Sequence, residues 1–141
     1  MSETEQFLAR IKKSRYSRLN SPVDTKQSIL LQKELNDNEF APIPESFMQV
    51  LHASNGISYD SSVILGTFTH EPLQDIVSQN IRFGTDENTL ILGLSEMDFF
   101  VYKPKKKTYQ IVDRDDFEVL SEYPEEDVLK AIEAFLRVSN E

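Results

Sequence analysis

An acidic segment near the end of the sequence is the densest group of side chains able to hold a cation. It reads Asp113-Arg-Asp115-Asp116-Phe-Glu118, and its carboxylates are of the kind that bind calcium. A calcium loop of the EF-hand type requires glycine at its sixth position and glutamate at its twelfth. Glu118 and Pro124 stand there instead. A solvated connection, or an acidic surface facing a partner, therefore fits the segment better than a metal site.

Side chains that act as nucleophiles or bases are few and isolated. The absence of cysteine excludes disulfides, thiolate nucleophiles and cysteine-based zinc sites. Neither His52 nor His70 begins a metal-binding pattern or stands at a recognisable spacing from a nucleophile or an orienting carboxylate. Ser95 lies in a segment that resembles a nucleophile elbow, but Met97 replaces the final glycine that the sharp turn requires. The sequence therefore predicts no enzyme, no metal and no cofactor.

Charge is unevenly placed along the 141 residues. The net charge is -9, made up of +1 in residues 1–40, -3 in residues 41–110 and -7 in residues 111–141. An acidic protein repels phosphates and attracts basic proteins, so we expect a protein partner and no direct nucleic-acid binding. Solubility alone is the alternative explanation for the negative charge.

Length and hydropathy predict one folded domain without a membrane span. A chain of 141 residues with 39% hydrophobic residues is able to bury a substantial core. No run of about 18 apolar residues occurs, and the first residues are polar and acidic, unlike a signal peptide. We therefore expect a cytoplasmic protein.

Helical spacing dominates the first part of the sequence. A helix predicted within residues 3–18 buries Phe7, Leu8 and Ile11 and is followed by a basic run. Asp24 and Gln27 predict a capping box that begins a second helix. Its buried stripe is expected to hold Ile29, Leu30, Leu31 and Leu35. Pro44 and Asn55-Gly56 bound a third helix, whose apolar face comprises Phe47, Met48, Val50 and Leu51.

Strand-like spacing follows. Strands are predicted at residues 63–68, with Gly66 as an irregularity, at 89–92 with Gly93 as the end, and at 98–103, 108–113 and 117–120. The loop 104–107 predicts the cross-strand pairs Tyr102–Tyr109, Phe100–Ile111 and Phe99–Val112. Helices are predicted from Leu73 to Phe83 and from Pro124 to Val138. This order predicts an α+β fold, with a mixed, largely antiparallel sheet of about four to six strands packed against N-terminal and C-terminal helices.

A family resemblance rests on several of these segments. The run Ile43-Pro-Glu-Ser-Phe-Met-Gln-Val-Leu-His-Ala-Ser-Asn-Gly56 resembles the LPxx(Y/F)xxfLxxxNG helix of the SUKH superfamily, which includes yeast regulators of cell-wall synthesis. Further similarities, in the order of the YrhA-like bacterial branch, are Val63-Ile-Leu-Gly66, Asp75-Ile-Val-Ser-Gln-Asn80, Leu90-Ile-Leu-Gly93, Asp98-Phe-Phe-Val-Tyr102 and Phe135-Leu136. The resemblance covers about residues 24–138. It predicts a SUKH-like domain at 24–141, preceded by an N-terminal helical extension at 1–23. Departures are Ile43 in place of the usual leucine, a longer loop at 36–41 and the basic extension itself.

The resemblance implies an intracellular immunity protein that binds and neutralises a polymorphic toxin, often a nuclease. A regulatory protein-interaction module without a toxin partner is the alternative, by analogy with the yeast relatives. A nuclease site is basic because it grips phosphates, so an acidic inhibitor is steered toward it. The resemblance transfers no catalytic residue. Candidate partner contacts are therefore chosen from charge: Asp113, Asp115, Asp116, Glu118, Glu122, Glu125 and Glu126.

Overall fold

The computed structural model describes residues 2–67 and 75–138. The α-helices of this part are α1 (Glu3–Lys12), α2 (Thr25–Asp37), α3 (Glu45–Leu51), α4 (Ile76–Phe83) and α5 (Val128–Leu136), with a short 3-10 helix at Glu125–Asp127 before α5. The strands are β1 (Ser17–Leu19), β2 (Ile57–Tyr59), β3 (Ser62–Ile64), β4 (Leu90–Leu94), β5 (Asp98–Lys103), β6 (Thr108–Asp113) and β7 (Val119–Pro124). None of the helices described combines the length and the apolar character needed to cross a membrane.

The seven strands form one open sheet in the order of the chain. Every pairing between neighbouring strands is antiparallel, so β1 and β7 are the two edges. The predicted α+β class is confirmed. The predicted count of four to six strands is too low, and the sheet is antiparallel where a mixed one was expected. The strands missed, β1 and β2, have three residues each, which is too short for an alternating pattern to stand out.

The β5–β6 hairpin has the predicted register. Tyr102 lies opposite Tyr109, Phe100 opposite Ile111 and Phe99 opposite Val112. The rings of Phe100 and Tyr109 stack with their centroids 5.4 Å apart, as aromatic pairs across a sheet prefer. The predicted end of β4 at Gly93 is wrong, because the strand has a bulge between Ile91 and Gly93 and continues to Leu94. The predicted strand at 117–120 is also misplaced, because Phe117 has a left-handed φ of 60° and β7 runs from Val119 to Pro124.

The first helix is shorter than predicted. Phe7, Leu8 and Ile11 are buried as expected, but α1 ends at Lys12. The positions three and four residues after Ile11 are Ser14 and Arg15, so no apolar side chain continues the buried stripe. The chain turns there and enters β1, which joins the same sheet as the other strands. The predicted boundary at residue 23 stays a prediction.

The second helix begins as predicted but buries fewer residues. Asp24 accepts the backbone N–H of Gln27 at 2.7 Å and the Gln27 side chain accepts the N–H of Asp24 at 2.9 Å, which is a capping box. Leu31 and Leu35, one turn apart, are buried. The prediction that Ile29 and Leu30 are buried is wrong, since both are exposed. Ile29 and Leu30 precede Leu31 by two residues and one residue. Their side chains therefore point in other directions around the helix axis, away from the core.

The segment Asn55-Gly56 serves a different purpose from the one predicted. Helix α3 ends at Leu51, four residues before Asn55. The buried Asn55 amide donates to Thr67 Oγ1 at 2.8 Å and accepts the Thr67 N–H at 2.7 Å. Gly66 lies against this amide so closely that a Cβ there would stand 2.2 Å from Asn55 Oδ1. The asparagine therefore ties the segment after α3 to the residues that follow β3. The predicted strand at 63–68 is too long, because β3 ends at Ile64, before Gly66.

Helices α4 and α5 lie on opposite faces of the sheet. Phe83 of α4 contacts Phe99 with a centroid distance of 4.8 Å, whereas Phe135 of α5 contacts Phe100 at 5.5 Å. Neighbouring residues of a strand point to opposite faces. The predicted stripe of α5 is confirmed for Val128, Ile132, Phe135 and Leu136, while Leu129 is half-buried. The predicted start of this helix at Pro124 is wrong, because Pro124 ends β7 and α5 begins at Val128. The predicted positions Phe68, His70 and Leu73 lie outside the described residues.

Candidate functional site

The seven acidic residues chosen from charge fall into two groups at opposite ends of β7. The first group, which we call the acidic turn, is residues 113–118 and contains Asp113, Asp115, Asp116 and Glu118. The second group, the acidic strand end, comprises Glu122, Glu125 and Glu126. Glu118 precedes β7, Glu122 lies in the second half of the strand and Glu125 and Glu126 follow it, so roughly 13 Å or more of extended chain at 3.3 Å per residue separates the two groups. The structure therefore brings together the members of each group but not the two groups.

Hydrogen bonds within the acidic turn fix its backbone. Asp113 Oδ1 accepts the N–H of Asp115 at 2.8 Å and that of Asp116 at 3.4 Å. Asp116 Oδ1 accepts the N–H of Glu118 at 2.8 Å, and Phe117 has a left-handed φ of 60°. Asp115, Asp116 and Glu118 are exposed, and in the part of the chain that the structure describes no lysine, arginine or histidine pairs with them. Their charges consequently face solvent.

The one cation within the acidic turn points toward the protein. Arg114 donates from Nη1 to the Ser95 carbonyl at 2.7 Å, and its guanidinium lies 5.5 Å from the Phe83 ring centre and 5.0 Å from that of Phe99. Its backbone N–H bonds the Met97 carbonyl at 3.0 Å. This side chain anchors the acidic turn to the β4–β5 turn and leaves the outward carboxylates uncompensated.

Exposed apolar side chains occur within the acidic turn and in the segments next to it. Met97, Phe117, Val119 and Leu120 retain 64%, 46%, 50% and 52% of their accessible surface, and we call these four the apolar patch. The Phe117 ring rests on Phe99 with its centroid 5.6 Å away. A bulge opposite Ile111 and Val112 displaces β7 at this point. Exposed apolar side chains bordered by charge are typical of surfaces that bind other proteins.

The acidic strand end is largely occupied by contacts within the protein. Glu122 accepts from Gln110 Nε2 at 2.5 Å and from Thr108 Oγ1 at 3.2 Å, and lies 3.8 Å from Lys106. The hydrogen bond from Gln110 is the main reason why the pKa of Glu122 is below its ordinary value.

Glu125 of the same group accepts the Tyr102 hydroxyl at 3.1 Å. Burial, helped by this carboxylate, raises the pKa of Tyr102 to about 12. Glu126 is exposed. Two of the three carboxylates of this group are thus engaged in holding the sheet, and a basic loop, Lys103 to Lys107, lies next to them.

The residues considered for catalysis have structural contacts. Ser95 Oγ accepts the N–H of Asp98 at 3.0 Å and so shapes the β4–β5 turn. His52 Nδ1 lies 3.1 Å from the Val23 carbonyl, whereas His70 is outside the described residues. Within residues 2–67 and 75–138, no three side chains of His, Cys, Asp or Glu come close enough together to hold a metal ion.

A groove lies beside His52. It has a volume of about 730 Å³ and lies between α1, β1 and α3. Its wall includes Leu8, Leu19, Pro22 and Ala53, with His52 at one side. No pair of carboxylates converges with His52 among these lining residues, so the groove provides no acid–base arrangement.

Sequence reasoning missed the apolar patch. Phe117, Val119 and Leu120 were assigned to a short edge strand, and an edge strand with three apolar residues in four positions is a signal that could have indicated an exposed patch. Met97 could not have been found this way, because only the fold brings the β4–β5 turn beside the acidic turn. No protein-family model matches the sequence, and no curated protein matches it either.

Proposed function

We propose that this protein is an intracellular immunity protein of the SUKH superfamily, which binds and neutralises a toxin protein. The observation that carries the proposal is the combined surface of the acidic turn and the apolar patch. Three exposed carboxylates, which have no cationic partner among the described residues, and four exposed apolar side chains lie in the acidic turn, at the start of β7 and in the β4–β5 turn that the acidic turn contacts. The SUKH assignment itself is supported by the residue pattern of residues 24–138.

The two parts of this surface have complementary effects on binding. Exposed carboxylates steer a basic protein toward the surface and accelerate association. Exposed apolar side chains lose water when the partner docks and slow dissociation. A nuclease toxin, whose active site is basic because it holds phosphates, matches the first requirement. Blocking that site neutralises the toxin without any chemistry by the inhibitor.

Rescue of toxin-expressing cells tests the proposal. The immunity function predicts a toxin gene next to the gene for this protein, and the product of that neighbouring gene is expressed from an inducible promoter with and without the protein. We expect growth to be restored when the protein is present. If growth is not restored although both proteins accumulate, the immunity function is refuted. Binding of a different, non-toxic protein to the same surface would support the alternative regulatory module.

Two matched triple variants locate the contact. Each removes three negative charges, D115N/D116N/E118Q from the acidic turn and E122Q/E125Q/E126Q from the acidic strand end. We expect the first variant to slow association with the toxin by about tenfold at low salt, and the second to change it by less than about threefold. The association rate is measured by surface plasmon resonance at two salt concentrations. Equal effects of the two variants would reject the acidic turn as the contact surface.

A further inference from the structure

The two edges of the sheet carry opposite charges at the same end. Because neighbouring strands are antiparallel and there are seven of them, β1 and β7 run in the same direction. The segments that lead into these two strands therefore lie at one end of the sheet. The segment before β7 is the acidic turn. The segment before β1, residues 12–16, contains Lys12, Lys13 and Arg15, and we call it the basic segment.

Contacts to neighbouring turns support this placement. The N–H of Asp60, in the β2–β3 turn, bonds the Tyr16 carbonyl at 3.0 Å. The N–H of Arg114 bonds the carbonyl of Met97, in the β4–β5 turn, also at 3.0 Å. These two turns lie at the same end of the sheet, since each follows a strand running in the same direction. The basic segment and the acidic turn are thus the first and last loops along one end.

The opposite charges do not compensate each other within one molecule. Six spacings of about 4.8 Å separate β1 from β7, or roughly 29 Å. This distance exceeds the Debye length of about 10 Å at 0.1 M salt. Lys12, Lys13 and Arg15 are exposed, with the Arg15 guanidinium 4.9 Å from the centre of the Tyr16 ring. The nearby Arg10 is different, because it is paired with Glu133.

We propose that a second copy of this chain docks head to tail, with β7 of one copy beside β1 of the next. In this arrangement the strands are parallel, because β1 and β7 have the same direction. A translation along the sheet then places the acidic turn of one copy against the basic segment of the next. Tyr16, which is 60% exposed, comes next to the apolar patch. A second copy of the chain fits this surface because the two edges of the sheet carry opposite charges at the same end.

The edges themselves set the strength and form of this contact. Strand β1 has three residues, and β7 carries a bulge and ends in Pro124, all of which limit backbone pairing between copies. Side-chain charges therefore provide most of the attraction, and the association is weak and salt-sensitive. The two contact surfaces are different, so addition of copies continues beyond the dimer.

Sedimentation of the wild-type protein tests the proposal first. We expect the average mass to rise continuously with concentration at about 20 mM salt, and the association to weaken about tenfold at about 500 mM salt. A wild-type protein that stays monomeric at low salt up to about millimolar concentration refutes the proposal. Association that stops at a dimer, or that salt does not change, refutes it as well.

Two neutralised variants then test the arrangement. The variant K12Q/K13Q/R15Q lacks the basic segment's charges and D115N/D116N/E118Q lacks those of the acidic turn. Each alone is expected to be monomeric, and their mixture is expected to form a 1:1 dimer that does not grow, because each supplies one intact surface. The control K26Q/K105Q/K107Q removes as many positive charges elsewhere and is expected to associate like the wild type. Loss of association in the control, or no dimer in the mixture, overturns the head-to-tail arrangement. Circular dichroism confirms that each variant is folded.

This inference goes beyond the proposed function and is measured without any toxin. Both interactions use the acidic turn, so a toxin bound there would compete with the second copy. Self-association without growth rescue, or rescue without self-association, separates the two proposals.

Discussion

Arg114 is expected to hold the acidic turn in place, and replacing it with methionine tests this. The substitution R114M keeps an apolar stem but removes the hydrogen bond to the Ser95 carbonyl and the contacts with the Phe83 and Phe99 rings. A hydrogen bond from a charged donor contributes about 1.5–3 kcal/mol, and a cation–π contact at an exposed site about 0.5–1 kcal/mol. Because the side chain is only half-buried and water replaces part of the loss, we expect a total cost of about 2 kcal/mol.

Urea denaturation measures this cost. With a slope of roughly 1.5 kcal/mol per M, the midpoint for R114M should fall by about 1.3 M. The control is R82M, because Arg82 also lies over the Phe83 ring, at 4.9 Å, but makes no hydrogen bond to a described residue. Its cost should stay below about 1 kcal/mol. A cost for R114M within about 0.5 kcal/mol of zero, or equal costs for both variants, would refute the anchoring role of Arg114.

Three further predictions concern the elements that support the site. The buried amide of Asn80 accepts the Ile91 N–H at 2.8 Å and donates to the Ile91 carbonyl at 2.9 Å; N80A leaves both groups unpaired and should cost about 3 kcal/mol in urea denaturation. Replacing Gly66 with alanine forces a Cβ onto the Asn55 amide and should lower the melting temperature by several degrees, roughly 5 °C or more; an unchanged melting temperature would contradict the close packing. Because the pKa of Tyr102 is raised from 10.0 to about 12 in the folded protein, its contribution is complete below pH 10 and is lost as the pH rises toward 12. Stability should therefore fall over this range, and less so in Y102F.

The sequence predicted best the elements whose signals are local. The capping box of α2 depends on two residues three positions apart, and the β5–β6 register follows from a four-residue loop and alternation on both strands. The stripe of α5 is equally local. The failures depend on tertiary context, since β1 and β2 are strands only because the rest of the sheet offers them a partner. The wrong prediction that Ile29 and Leu30 are buried also depends on tertiary context. Periodicity gives the angle between side chains around a helix, but not how wide a face of the helix the core covers.

The candidate site shows the same division between local and tertiary information. Glu118 and Glu125 are seven positions apart in the sequence, which suggested one acidic surface. An extended strand between them separates them by about 17 Å or more. A prediction of the whole of β7 would have shown this separation, but the strand was predicted with only four residues. The role of Arg114 could not have been found in the sequence, because its partners Phe83, Phe99 and Ser95 come from α4, β5 and the β4–β5 turn.

The two explanations for the acidic charge make different demands on the structure. If the negative charge served only solubility, it would be needed over the whole surface. Carboxylates at different positions would then be left unpaired to the same extent. The carboxylates are instead treated unequally: Glu122 is bonded by Gln110 and lies near Lys106, whereas Asp115 and Glu118 face solvent beside the apolar patch. Exposed carboxylates are hydrated and stable without a partner, and next to exposed apolar side chains they steer a basic protein toward a surface that it can bury. The acidic turn is therefore where a partner should first be sought.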